Sequence, residues 1–321
     1  MNKYIIISGS TASGKTKISI DIAKHLINKG LKSEIINFDS LLFYKELNIG
    51  TAKPTLEEQD GIIHHLIDTN SITEPMNVSD FILKANQILN DLFKHNIIPI
   101  LVGGSAFYIR ALVKGMIDSS EEKNTSQVVF NTINEIKKDN DGVINFLKKN
   151  DPEIFNFIHF NDDYRLTRAV EFYLHNQRPY STEIKRIDEN KPYDFSHNNL
   201  INGEMLHLYL EIEKEAHLNI IQERAYNMVH GGLIDEVENI LQQNFDKNLK
   251  PLTSIGYKET INFIENQETL NKNDLIESIY IATRQLAKAQ KTFFRKIKPK
   301  ITLSPLDSPH NLFNLVDEFT K

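Results

Sequence analysis

The stretch Tyr4-Ile5-Ile6-Ile7-Ser8-Gly9-Ser10-Thr11-Ala12-Ser13-Gly14-Lys15-Thr16 decides the fold. Tyr4 to Ile7 is a short unbroken apolar run, the pattern of a strand buried on both faces. Gly9 to Thr16 fits G-x-x-x-x-G-K-[ST] in full. Lys15–Asn28 then has helical spacing, with Ile18, Ile22, Ala23 and Leu26 on one face. Strand, glycine-bounded loop and helix together form an anion cradle. The loop amides wrap the anion, the helix N-terminus offers its positive dipole end, and Lys15 adds a full charge. Thr16 can ligate Mg²⁺ or a phosphate oxygen. The motif specifies a phosphate or diphosphate and leaves its carrier open.

Outward from this loop, short apolar runs alternate with helical patterns. Ile35–Phe38 reads as a second strand and Ile97–Val102 as a third. Ser79–Phe93 reads as a helix, with Ser79 placed to cap it. Such alternation predicts an α/β domain with a mainly parallel sheet. Near residue 118 the composition changes. Ser119–Asn124 is polar and turn-like, and 125–185 reads as a helical insertion with a helix start at Asn161-Asp162-Asp163. Met205–Ile212 returns to strand. Helices are expected near 214–230, 232–243 and 273–298, and Ile301–Leu303 as a last strand. The expected division is a first core part over 1–117, an insertion over 118–200, and a second core part over 201–321.

Asp39-Ser40 and Gly103-Gly104-Ser105 each follow a strand. Strand carboxyl ends border the ligand crevice of an open α/β sheet, so both segments should approach the bound phosphates. Asp39 could hold Mg²⁺ through water or act as a general base; an Asx turn or helix cap is the plainer alternative. The glycine pair could admit a ligand or simply turn the chain.

The formal net charge is −6, yet residues 284–300 carry Arg284, Lys288, Lys291, Arg295, Lys296, Lys298 and Lys300 with no acid, leaving −13 for the remainder. Arg284, Lys288, Lys291 and Arg295 share one helix face, with Leu286 and Phe293 on another. This pattern suits a polyanion lying on the cationic face and a core beneath the apolar one; a solvated face is the alternative. Arg165 and Arg168 form a second basic pair, and Glu171 could neutralise Arg168. There is no Cys, which excludes disulfides, thiol catalysis and cysteine-held metals. His64-His65 is expected to be structural. No apolar run has the length of a membrane span, so a cytoplasmic protein without membrane contact is expected.

Read together and in order, these segments resemble the tRNA dimethylallyltransferases. The resemblance rests on Gly9–Thr16, Asp39-Ser40-Leu41-Leu42-Phe43-Tyr44, Ile49-Gly50-Thr51-Ala52-Lys53-Pro54 and His64-His65-Leu66-Ile67-Asp68. It continues through Val102–Tyr108, Asn161–Glu171, Ser254-Ile255-Gly256-Tyr257 and Thr283-Arg284-Gln285-Leu286-Ala287-Lys288-Ala289-Gln290. The loop alone is common to many nucleotide-binding and ATP-binding proteins; the combination is specific. The chain departs from the family at Ser10 for Pro, Ala289 for Arg, and Ile220 where Arg is frequent.

The resemblance implies a P-loop NTPase-like, mainly parallel core with a mostly helical insertion domain. It implies transfer of a dimethylallyl group from dimethylallyl diphosphate to N6 of the adenosine immediately 3′ of the anticodon. Gly9, Ser10, Thr11, Ala12, Ser13, Gly14, Lys15 and Thr16 would hold the diphosphate with Mg²⁺ on Thr16; Thr11 to Thr16 would bind substrate. Asp39, Thr16 and Arg224 would be catalytic. Asp39, Ser40, Leu41, Leu42, Gly104, Ser105, Arg165, Arg168, Arg284, Gln285, Lys288, Lys291 and Arg295 would meet the tRNA anticodon stem-loop. A monomer is expected. The competing reading is a P-loop kinase of a nucleotide or small metabolite, which leaves the late basic helix unexplained. A dimethylallyltransferase acting on free adenine nucleotides and a binding-only relative are further alternatives.

Overall fold

The structure is a computed structural model that describes residues 2–116, 127–188, 191–196 and 201–321. It contains a sheet of six strands in the order β3-β2-β4-β1-β5-β6. The strands are β1 (Lys3–Gly9), β2 (Lys32–Asn37), β3 (His64–His65), β4 (Ile97–Gly103), β5 (Glu204–Leu210) and β6 (Ile301–Leu303). Every pairing is parallel, with Ile7 facing Val102 on one side and Leu208 on the other.

The apolar run of β1 is continuous because both faces are covered. Tyr4 and Ile6 belong to one buried cluster with helices α2 (Val78–Lys94) and α3 (Ala106–Lys114). Ile5 and Ile7 belong to the opposite cluster with α1 (Lys15–Asn28) and α12 (Pro309–Thr320). Period-two alternation thus sends successive side chains into two separate cores. From β1 the chain leaves through α1 to β2 on one side, and β5 lies on the other. The order therefore reverses at β1, which puts the crevice at the carboxyl ends of β1 and β4.

A third cluster joins α8 (Lys214–His230), α9 (Leu233–Gln242), α10 (Tyr257–Glu265) and α11 (Lys272–Lys296), with Tyr44, Leu47 and Ile72 packed in. Lys114–Pro192 forms a separate compact unit, the rest of the chain the other. The smaller unit holds α4 (Gln127–Ile136), α5 (Gly142–Asn150), α6 (Asp163–Asn176) and α7 (Tyr180–Asp188) around Leu147, Ile154, Ala169 and Val170. The Asp162 side chain caps α6 by accepting the Arg165 amide, as the Asn161–Asp163 signal predicts. The expected turn at Ser119–Asn124 and the expected divisions at 118 and 200 lie outside the described residues.

Three expectations need correction. Asn77, not Ser79, caps α2, accepting the Asp80 amide at 2.9 Å, so the helix starts earlier than its apolar period. The buried face of α11 is Leu275, Ile279, Thr283, Ala287 and Phe294; Leu286 is 40% exposed, and Phe293 packs only partly. Helices α3, α10 and α12 also form, where the sequence spacing predicts none. Helices α3 and α10 have only nine residues each, and α3 follows directly on the glycine turn. No helix among the described residues is long and apolar enough to cross a membrane.

Candidate active site

The loop after β1 takes the shape its glycines allow. Gly14 is left-handed (φ 75°) and opens α1, leaving the first amides of that helix directed into the loop. A Cβ at Gly9 would stand 2.7 Å from Ser13 Oγ and 2.8 Å from the Leu210 carbonyl, so only glycine fits between the loop and β5. Ala12 is also left-handed (φ 60°), a conformation that costs about 1 kcal/mol for a residue with a Cβ. Lys15 Nζ donates to the Ser10 carbonyl at 2.7 Å.

Two helices hold the loop from outside, chiefly at Thr11, while Ser10 Oγ also lies 3.5 Å from His217 Nε2. Thr11 donates its amide to Gln290 Oε1 of α11 at 2.7 Å. Its carbonyl accepts from His217 Nε2 of α8 at 2.9 Å, which fixes the proton on that ring nitrogen. Neither Gln290 nor His217 could be assigned this role from sequence. Gln290 lies inside the basic segment, where the cations dominate the reading, and His217 is a lone histidine on a helix.

Asp39 stands just past β2. Its amide donates to Asn37 Oδ1 at 2.8 Å, and the buried Asn37 amide group in turn donates to the Leu66 and Asp39 carbonyls. The Leu41 amide reaches Asp39 Oδ1 only at 3.4 Å, so the Asx-turn bond is long and most of the carboxylate's capacity remains open. Ser40 donates its amide to Ser105 Oγ at 3.1 Å, tying the β2 and β4 ends together. The glycines that end β4 and follow it are there for room. A Cβ on Gly103 would meet the Phe38 ring at 2.5 Å and the Asp39 amide at 2.8 Å. One on Gly104 would meet Gln290 Nε2 at 2.7 Å, with Asp39 Oδ2 at 3.6 Å.

A cavity of about 550 Å³ opens here, and Lys15, Thr16, Asp39, Leu42, Gly103 and Arg224 line it. Arg224 comes from α8, and its Nη2 donates to the Thr51 carbonyl at 3.1 Å. Displacement of water by surrounding protein lowers the Lys15 ammonium to about 8; Asp39 opposes that shift, and Arg224 adds to it. The same desolvation lowers Arg224, again opposed by Asp39. Two cations and one carboxylate therefore share a single polar cavity, an arrangement that suits an anion beside a proton acceptor.

The Asn48–Thr51 segment is itself clamped. Glu236 of α9 accepts the amides of Ile49 at 2.8 Å, Asn48 at 3.2 Å and Gly50 at 3.3 Å, and the Tyr257 hydroxyl at 2.6 Å. A Cβ on Gly50 would overlap the Tyr257 ring at 2.6 Å. Gly50 and Tyr257 were legible as motif residues; Glu236 was not. His64 and His65 form the edge strand, and His65 Nε2 contacts Glu34 at 2.6 Å, a structural role.

The basic stripe forms on α11, with a change in its charge balance. Glu211, just past β5, pairs with Lys291 at 2.9 Å and with Arg295 at 2.7 Å. The segment has no acid of its own, but the fold supplies one. Arg284 lies over the Tyr280 ring, and Gln285 and Lys288 are exposed. In the smaller unit, Arg165 pairs with Asp162 at 2.9 Å and Arg168 with Glu171.

The IPP transferase family profile matches residues 42–297 of this chain. The tRNA dimethylallyltransferase of Acetivibrio thermocellus is 33% identical over 312 residues, covering 93% of this chain and 90% of that protein. The crystal structure of the tRNA delta(2)-isopentenylpyrophosphate transferase from Staphylococcus epidermidis superposes with a TM-score of 0.67 at 28% identity, over 99% of this chain and 98% of that one. A eukaryotic dimethylallyltransferase acting on tRNA shares the fold with a TM-score of 0.81 at 23% identity, over 100% of this chain and 80% of that one. By profile and by relatives over nearly its whole length, the chain belongs to the IPP transferase family.

Proposed function

We propose that the chain transfers a dimethylallyl group from dimethylallyl diphosphate to N6 of the adenosine immediately 3′ of the anticodon in tRNA. The observation that carries this reading is the meeting of Lys15, Arg224 and Asp39 in one cavity, in a member of this family. The diphosphate is held by the amides of Ser13 to Thr16, the Lys15 ammonium and the Arg224 guanidinium. These groups are preorganised for the charge that grows as the C1–O bond breaks. The electron pair of that bond leaves with the diphosphate, and the N6 lone pair forms the new bond to C1. Asp39 accepts a hydrogen bond from N6 and then its proton. An adenine amine is a weak nucleophile, so orientation and a waiting base are what the protein can add.

Mg²⁺ fits the donors at this cavity. The protein donor is a hard oxygen, the Thr16 hydroxyl, to which diphosphate oxygens would be added, while Asp39 is kept for the proton. Thr16 would hold the ion, which neutralises leaving-group charge when bound. The target base must leave the anticodon-loop stack to reach Asp39, since the carboxylate lies within the cavity wall. Arg284, Lys288 and the other α11 cations, with Arg165 and Arg168, supply contacts to the RNA backbone.

The test offers the purified chain dimethylallyl diphosphate with tRNA in parallel with ATP and a panel of small metabolites. Prenylated tRNA and inorganic diphosphate as products support the reading. ADP formation stimulated by a metabolite overturns it in favour of a kinase.

A further inference from the structure

Gln290 connects two parts of the site that the chemistry requires at a fixed separation. Its Oε1 accepts the Thr11 amide in the phosphate-binding loop at 2.7 Å, and its Nε2 donates to the Gly104 carbonyl at 2.9 Å. Gly104 lies beside Asp39, with its notional Cβ position 3.6 Å from Asp39 Oδ2. Thr11 belongs to the loop that would hold the leaving group, and Gly104 belongs to the turn beside the proton acceptor. The β1–β4 ladder ends at Ser8 and Gly103, and beyond it no backbone hydrogen bond joins these two loops among the described residues. A primary amide is the side chain that meets both ends, because it accepts at one atom and donates at the neighbouring one. Glu of equal length has no donor for Gly104, and Met has neither group.

The placement is reinforced from two directions. The Thr11 carbonyl is held by His217, so the loop cannot pivot about the Gln290 contact without losing a second bond. A side chain at position 104 would collide with the Gln290 amide at 2.7 Å, so glycine there makes room for this contact. Gln290 also projects from α11, the helix bearing Arg284 and Lys288.

We infer that Gln290 is a positioning residue that sets the distance between the donor-holding loop at Thr11 and the acceptor-side turn at Gly104 and Asp39. The inference rests on the prenyl-transfer reading given above. Gln290 touches neither reactant and acts through the two backbone groups it joins. Its loss should leave each substrate able to bind while the reacting atoms drift apart, and a misplacement of about 1 Å costs as much as 100-fold in rate.

The experiment compares wild type with Gln290→Met and Gln290→Glu. It measures inorganic diphosphate affinity by calorimetry with Mg²⁺, tRNA affinity by fluorescence, thermal midpoint, and the single-turnover rate of transfer. The expected result is a rate lower by about 10- to 100-fold in both variants, with both affinities within about threefold of wild type. Glu retains the Thr11 contact but sets a carboxylate oxygen against the Gly104 carbonyl, so it should not rescue. A Gln290→Met rate within twofold of wild type overturns the inference. So does a loss shared equally by rate, both affinities and thermal midpoint, which marks Gln290 as merely structural. Absence of transfer by the wild-type chain instead overturns the functional reading on which the inference depends.

Discussion

Replacing Glu236 by Ala should destabilise the fold and loosen the diphosphate site together, and the structure sets the size of both effects. The substitution removes the acceptor for four donors: the amides of Asn48, Ile49 and Gly50 and the Tyr257 hydroxyl. Asn48 is exposed and Ile49 partly so, and water can replace the carboxylate there. Gly50 and Tyr257 are buried, Tyr257 fully. Each buried donor left unpaired costs about 1–3 kcal/mol, so the two together predict a loss of about 2–6 kcal/mol. Tyr257→Phe removes one donor and leaves the carboxylate with its three amides, for which about 1 kcal/mol is expected. Burial, with Glu236 beside it, raises the Tyr257 hydroxyl far above its ordinary value, so it remains a donor throughout any practical pH range. Urea midpoints for the two single variants and the double variant give the coupling directly. Because the Thr51 carbonyl holds Arg224, Glu236→Ala should also weaken inorganic diphosphate binding while tRNA affinity changes little. A Glu236→Ala variant no less stable than Tyr257→Phe, with unchanged diphosphate affinity, would refute the reasoning.

Three further outcomes follow from the site. Desolvation lowers Lys15 from 10.5 to about 8, so the unfolded chain holds that proton more tightly than the folded one, and the associated penalty on stability fades as pH rises from 8 to 10.5. A bound diphosphate restores the charge, so binding above pH 8 should take up protons that Lys15→Met does not, read by calorimetry in buffers of different ionisation heat. On α11, Arg284→Gln with Lys288→Gln should reduce the salt dependence of tRNA binding by about one to two in log–log slope. Lys291→Gln with Arg295→Gln should reduce it less, because Glu211 already pairs with both; equal slopes would show that Glu211 yields its partners to the RNA. Gly50→Ala should match or exceed Glu236→Ala in lost stability, since its Cβ would enter the Tyr257 ring; a neutral urea midpoint would show that the ring can retreat.

The sequence made the centre of the fold legible because local signals and tertiary demands agree there. The Tyr4–Ile7 run, the Gly9–Thr16 loop and the Lys15–Asn28 helix all stand where the spacing puts them. Asp39 was legible through its place after a strand, and Arg224 through family resemblance. The residues that hold these groups were not. Gln290 and His217 toward Thr11, and Glu236 toward the Gly50 amide, act across separations of 186–279 residues, and no periodicity reports such contacts. The charge count over 284–300 cannot include Glu211, which reaches two of the cations from just past β5. Leu286 failed as a core residue for a related reason. Its spacing from Phe293 is helical, but the face that α11 buries is set by its neighbours, and it runs through Ala287 and Phe294.

The most direct test is nucleoside mass spectrometry of tRNA incubated with dimethylallyl diphosphate, Mg²⁺ and either the wild-type chain or Asp39→Ala. The account predicts one dimethylallyl group on the adenosine 3′ of the anticodon with the wild type. For Asp39→Ala it predicts a rate lower by about 10²–10⁴-fold with tRNA still bound, the range for loss of a positioned base. Unmodified tRNA from the wild type, or an Asp39→Ala variant with near-normal turnover, would contradict it.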